Sequence, residues 1–254
     1  MNKKAKELGL INTNFITPHG LDDPNHYTTA YELAILTNYA LGNEQFAKIV
    51  NTKVKTILIN GNQMQIHNTN ELLGNLNGIN GVKTGFTNNA GRCLVCSCTR
   101  NGQNIISVVL GADTKKYRTK DSIEIIEYTY SNYEKINLGK IIEKEFGEWE
   151  EKFKESVYIE KGVEQNLEFK INNTYNMFPV KKEDVNKVSI EIQCQNLFQA
   201  PVIQDTCVGK VSIFVGEKLL DELGIVVDKS VDKKGVWDYF AEIIELYSKL
   251  WNFR

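Results

Sequence analysis

The chain has 254 residues, 42% of them hydrophobic, which is enough for one large domain or two modest ones with real cores and excludes a disordered chain. Its 30 basic and 32 acidic residues are spread along the sequence and leave a net charge of -2, which excludes a nucleic-acid footprint. The five cysteines are an odd number, and three crowd at Cys93, Cys96 and Cys98, so a secreted disulfide framework is not expected.

The first ten residues carry lysines but no apolar run behind them, so they do not read as a signal peptide. No stretch of about 18 apolar residues is present to span a bilayer. Lys3 to Leu8 reads as the end of a helix stopped by Gly9, followed by a polar loop through Pro18-His19-Gly20-Leu21-Asp22-Asp23-Pro24. Thr29 and Glu32 have capping-box spacing, and Tyr31, Leu33, Ala34, Ile35, Leu36, Tyr39, Ala40 and Leu41 predict a buried helix. A short helix is expected over Glu44 to Val50, then a hairpin from Val54 to Ile59 and Gln63 to Ile66, turning at Asn60-Gly61.

Three strands follow, Gly81 to Thr87, Arg92 to Thr99 and Asn104 to Gly111, with Asn101-Gly102 turning the second into the third. A helix over Ser122 to Tyr133 is placed to cover that antiparallel sheet. Beyond about Leu138 the pattern becomes short alternating segments, Ser156 to Ile159, Leu167 to Ile171, Val188 to Gln193 and Lys210 to Val215, with no long helix expected between them. Trp237 to Arg254 returns to helical spacing. Asp238, Glu242, Glu245, Ser248, Lys249 and Asn252 fill its polar arc, and a wider apolar arc includes Tyr239, Phe240, Ile243, Ile244 and Trp251.

Lys83-Thr84-Gly85 opens onto this pattern from the first of the three strands. With Ser-x-x-Lys, Lys-Thr-Gly is a signature of penicillin-binding proteins and related β-lactamases. Around it stand Leu8-Gly9-Leu10, Asn12-Thr13-x-Phe15, Pro18-His19-Gly20-Leu21-Asp22, Thr29-Ala30-Tyr31-Glu32-Leu33-Ala34, Asn68-Thr69-Asn70-x-Leu72-Leu73, Gly81 to Thr87 and Ala90-Gly91-Arg92-Cys93-Leu94-Val95. In this order the blocks resemble the serine-type D-alanyl-D-alanine carboxypeptidases, the low-molecular-mass penicillin-binding proteins of peptidase family S11, over roughly the first 115 residues. The β-rich region to about Asp228 resembles that family's second domain less sharply.

The resemblance implies an α+β fold, namely part of a transpeptidase domain of antiparallel sheet and helices, then a β-sandwich-like domain and a C-terminal amphipathic helix. The expected segments are 1–134, 135–228 and, for linker and helix, 229–254. It implies that Lys83 stands beside the nucleophile and the substrate's terminal carboxylate, that Thr84 offers that carboxylate a hydroxyl, and that the Phe86 N–H is half of an oxyanion hole. Gly85 keeps the strand edge bare for an added peptide strand; Thr87 and His19 complete the substrate wall. The implied partners are peptidoglycan pentapeptide stems and β-lactam antibiotics, with no metal or organic cofactor.

The acylating half of the signature is missing. The sequence has no Ser-x-Asn, and its single Ser-x-x-Lys, Ser230-Val231-Asp232-Lys233, lies downstream in a charged linker. Against the family pattern Met1 falls at an internal position, so a truncated chain without its nucleophile is expected to be inactive alone. The longer parent is expected at the outer face of the cytoplasmic membrane, held there by Trp237 to Phe253 lying in the bilayer surface. A non-catalytic module that binds wall peptides or docks at the membrane is the alternative.

Two other chemistries are weaker. Along a strand Cys96 and Cys98 point to one face and Cys93 to the other, which does not gather a zinc or redox site. The three histidines, His19, His26 and His67, do not support a Ser-His-Asp triad without a serine elbow.

Overall fold

Local capping begins the first helices of the computed structural model, which describes residues 1–172 and 176–251 and divides into two units, 1–132 and 133–254. In the first unit, α1 (Asn2–Glu7) precedes a loop held by paired backbone bonds between Asn14 and Tyr27. Next come α2 (Ala30–Leu41) and α3 (Glu44–Val50), whose first turns are capped by Thr29 and Asn43; these accept from the Glu32 and Phe46 N–H groups at 3.2 and 3.0 Å.

The capping box at α2 is only half formed. The Glu32 carboxylate turns away from the cap and accepts from the Asn12 N–H at 2.8 Å and from the Thr13 hydroxyl, and so anchors the preceding loop. The expectation of a buried apolar face on α2 also needs correction. Its buried residues are Glu32 and Thr37, whereas Tyr31 and Tyr39 are exposed. Leu33 to Leu36 form a continuous apolar run, so periodicity does not choose a face.

The hairpin of β1 (Val54–Ile59) and β2 (Asn62–His67) turns at Asn60 and Gly61, with φ of 50° and 82°, as a two-residue turn with left-handed central residues requires. The main sheet has the order β3 (Ile79–Thr87), β4 (Gly91–Arg100), β5 (Gln103–Ala112), all antiparallel, so β3 is an edge strand. Its register sets Lys83 opposite Val95, Gly85 opposite Cys93 and Phe86 opposite Arg92. The covering helix α4 (Lys115–Asn132) begins seven residues before the expected Ser122. Ile126 on α4 meets Leu94, Cys96 and Cys98 of β4 together with Leu72, Leu73 and Ile79 in one core cluster. Arg100 clamps the helix to the sheet through two bonds to the Glu127 carboxylate, at 2.9 and 2.7 Å.

The second unit contains β6 (Tyr133–Asn137), α5 (Leu138–Phe153), β7 (Tyr158–Glu160), β8 (Phe169–Ile171), β9 (Met177–Lys181), β10 (Val188–Cys194), β11 (Leu197–Gln199), β12 (Cys207–Val215), β13 (Lys218–Val227) and α6 (Val236–Trp251). The α5 helix corrects the expectation of short strands only. Asn137 caps it by accepting from the Lys140 N–H at 3.0 Å, and Leu138, Ile142 and Phe146 recur every four residues on its buried side. That stripe packs into a core with Ile159, Phe169, Val211, Ile213, Ile225 and Val227, drawn largely from the four-stranded sheet β10-β12-β13-β8. Val231 is buried and bridges Val202, and Lys233 bridges Gly162, so the Ser230 to Lys233 stretch lies on this unit.

The Gly235 N–H donates to the Asp238 carboxylate at 2.7 Å at the start of α6, and Lys234 pairs with Glu242. Trp237, Phe240, Ile243, Ile244, Leu246 and Tyr247 are all exposed along the helix. Asn252 and Phe253, at the end of the expected surface helix, lie outside the described residues. Among the described residues no helix is long and apolar enough to cross a membrane.

Candidate functional site

The segment Asn68-Thr69-Asn70-Glu71-Leu72-Leu73 is a small clamp. Asn68 ties it to the end of α3 by donating to the carbonyls of Val50 and Thr52 at 3.2 and 3.1 Å. Asn70, 2% exposed, donates to the Gly81 carbonyl at 2.9 Å and accepts from the Leu72 N–H at 3.1 Å. Both amides are thereby satisfied where burial would otherwise be costly. With Leu72 and Leu73 in the core, Thr69 is fixed against β3, its hydroxyl 2.7 Å from that of Thr84.

Glu71 extends the clamp to α4. Its carboxylate accepts from Arg118 at 2.6 Å and from the Thr119 hydroxyl. Burial works against the charged form of Glu71, but the bonds from Thr119 and Arg118 outweigh it and hold the carboxyl below its usual value of 4.5. Arg118 is 2% exposed, and its Nε has no hydrogen-bond partner.

A cavity of about 550 Å³ opens on this corner of the unit. Lys83, Thr84, Gly85, Phe86 and Thr87 of β3 all line it, and so does His19, whose loop reaches the same place. All six residues singled out in the sequence are therefore brought together. The Lys83 ammonium bonds the Thr84 carbonyl, and the Phe86 ring lies 3.6 Å beneath the Arg92 guanidinium carbon. A Cβ added at Gly85 would meet only the Cys93 Cβ, at an ordinary 3.6 Å, so the protein's own packing does not demand glycine there. At Gly91 it does: φ is +67°, and a Cβ would press to 3.1 Å on the Gly111 backbone where β4 starts against β5.

Thr69, Arg92, Lys115 and Arg118 also line the cavity and were missed in the sequence reading. Arg92 had a local signal, since pairing β3 with β4 across the Asn88-Asn89-Ala90 turn sets it opposite Phe86. Arg118 had none, because its partner Glu71 is 47 residues away. Cys93 lines the cavity, whereas Cys96 and Cys98 are buried in the core, where burial pushes the Cys96 thiol up to about 12.

Residues 1–114 match the family model described as D-alanyl-D-alanine carboxypeptidase, and residues 150–233 that of the penicillin-binding protein 5 C-terminal domain. The chain is 31% identical to the D-alanyl-D-alanine carboxypeptidase DacF of Bacillus subtilis, over 92% of this chain and 58% of that protein. It is 32% identical to the D-alanyl-D-alanine carboxypeptidase DacA of Haemophilus influenzae, over 95% of this chain and 60% of that one. The chain thus spans less than two thirds of these relatives. The crystal structure of penicillin binding protein 5 from Haemophilus influenzae superposes with a TM-score of 0.70 at 26% identity, covering 91% of this chain and 64% of that one.

Proposed function

Because residues 1–114 belong to the D-alanyl-D-alanine carboxypeptidase family and residues 150–233 to that of the penicillin-binding protein 5 C-terminal domain, we propose that the β3 cavity is the peptide-holding wall of a serine-type carboxypeptidase that removes the terminal D-alanine of peptidoglycan pentapeptide stems. The observation that carries this is an edge strand bearing Lys83-Thr84-Gly85 and opening onto a cavity rich in cations.

An extended peptide adds to β3 by main-chain hydrogen bonds, and the absence of a side chain at Gly85 lets it come close. The Thr84 hydroxyl donates to the terminal carboxylate, while Lys83 and Arg118 supply the positive charge that a desolvated carboxylate requires. The Phe86 N–H is the proposed donor to the negative charge that develops on the attacked carbonyl oxygen. Thr87 and His19 shape the wall on either side. Thr69, held by its amide clamp, fixes the Thr84 rotor.

Acyl transfer in this family requires a serine activated by a neighbouring lysine. No serine lines the cavity among the described residues, and Ser230 belongs to the second unit, where its hydroxyl accepts from the Gln204 N–H at 2.8 Å. The 254-residue chain is therefore proposed to hold peptide without forming an acyl-enzyme. Mixing it with fluorescent penicillin tests this: no covalent band is expected, and a labelled chain would show that a nucleophile within it reaches the site. Silence in that assay together with saturable binding of wall peptides favours the reading of a non-catalytic peptide-binding module for this chain by itself.

The exposed apolar side of α6 supports a membrane-surface role at the outer face of the cytoplasmic membrane. Vesicle flotation of the full chain against a version ending at Lys234 tests this. Loss of flotation on truncation is expected, and equal flotation would overturn the role.

A further inference from the structure

A single terminal carboxylate accounts for Lys83, Thr84 and Arg118, but two more cations line the same cavity. Arg92 and Lys115 stand together at one end of the sheet. Arg92 pairs with Phe86 on one side and with Ala112 on the other, and Lys115 follows Ala112 by three residues at the start of α4. Phe86 lies three residues beyond Lys83, which at the rise of a strand sets Arg92, opposite Phe86, roughly 10 Å along β3 from Lys83, while Lys115 lies one helical turn before Arg118 on α4.

No acidic side chain lines the cavity among the described residues, and neither Arg92 nor Lys115 takes part in an ion pair there. The nearest acid on the clamp, Glu71, is engaged by Arg118 and Thr119. Asp113, two residues before Lys115, does not line the cavity. Arg92 is also held in place, because its guanidinium rests on the Phe86 ring. Two cations without an ion pair among the described residues, Arg92 on β4 beside the edge strand and Lys115 at the start of α4, make a recognition feature for a second anion.

The geometry points to Arg92 and Lys115 as a second anion subsite, which selects acidic peptides whose extra carboxylate stands about 10 Å, or three extended residues, from the terminal one. This deepens the proposed function and rests on that reading, since the terminal carboxylate at Lys83 and Thr84 sets the register. Peptides with an amide in place of the second carboxylate are held by the first subsite alone.

Nuclear magnetic resonance titration of the full 254-residue chain with three peptides ending in D-alanyl-D-alanine tests the inference. One carries glutamate three residues upstream of the C-terminus, one carries glutamine there, and the third is the glutamate peptide with its C-terminus amidated. At low ionic strength the glutamate peptide is expected to bind about 5-fold tighter than the glutamine peptide, as two partly exposed ion pairs allow, with the ratio shrinking as salt is added. Arg92→Met with Lys115→Gln should bring the ratio to about 1, and Lys115→Gln alone, a change at an exposed position, should bring it about halfway.

Equal affinity for the glutamate and glutamine peptides, or a ratio that survives in the double variant with its dispersion of amide shifts intact, overturns the second subsite. The terminal-carboxylate reading then still stands. Indifference to amidation of the C-terminus overturns that reading and removes the register on which the subsite depends. Failure of all three peptides to bind overturns both.

Discussion

The two units solve the problem of burial differently. In the second, a helix stripe and a four-stranded sheet enclose an extensive core of Leu, Ile, Val and Phe, with Ile159, Val211, Ile213, Ile225 and Val227 fully buried. In the first, the cluster around Leu94 and Ile126 is smaller and includes Cys96 and Cys98, while Tyr31, Tyr39, Leu58 and Met64 remain exposed. The first unit is instead braced by polar ties: the amides of Asn68 and Asn70, the Glu71–Arg118 pair, the Arg100–Glu127 pair and Glu32 on its loop. Polar bracing fixes side chains at defined angles and contributes less net stability than apolar burial of the same extent. The cavity lies in the polar-braced unit, where position matters more than robustness.

The largest expected effect tests whether the units are separable. Leu94→Ala removes a fully buried side chain from the smaller core at a cost of about 2–5 kcal/mol, comparable to the net stability of a small domain. Hydrogen exchange should then show residues 79–112 losing protection while 188–227 keep theirs. Ile225→Ala, of similar cost, should weaken protection in 188–227 and leave 79–112 unchanged. Loss in both regions from either change would break the comparison and show one cooperative body.

A middle-sized effect concerns the polar braces. Glu71→Gln strips the charged partner from a buried arginine, at a cost of about 1–3 kcal/mol in the first unit. The sign of its pH dependence follows from the lowered carboxyl. Its stabilisation is fully present above the ordinary value of 4.5 and is lost as pH falls through the lower folded-state value, so acid should loosen the first unit on a limb that E71Q lacks. An acid melting profile identical in E71Q and the parent would remove Glu71 from the bracing.

The smallest effect on stability separates structure from site. Gly85→Ala meets only ordinary van der Waals contact and should change the unfolding free energy by no more than about 0.5 kcal/mol, yet it adds a methyl at the residue along which the proposed peptide strand lies. Titration should show clearly weakened binding of peptides ending in D-alanyl-D-alanine. Unchanged binding would move the peptide away from the β3 edge.

The sequence by itself determined the elements whose cause is local. Alternation and the Asn60-Gly61 and Asn101-Gly102 turns specify both hairpins, because left-handed backbone at those positions admits few other residues. The blocks around Lys83-Thr84-Gly85 carry the resemblance to the family whose model matches residues 1–114, and they name six residues that share one cavity. Where local signals were ambiguous the sequence did not specify the structure. The apolar run of α2 named no face, and the four-residue recurrence of Leu138, Ile142 and Phe146 was missed among charged residues that hid a helix.

Only the tertiary structure decided what the cavity contains besides β3. Arg118 enters it because α4 packs on β4 through Ile126 and because Glu71, 47 residues earlier, fixes its guanidinium. Lys115 and Arg92 both line the cavity because the start of β4 pairs with the end of β5, from which α4 follows. Hydrogen-bond patterns and hydrophobic periods act over a few residues and can be read along the chain. Convergence of charges from separate elements depends on which faces pack together, and packing is settled by the whole unit at once.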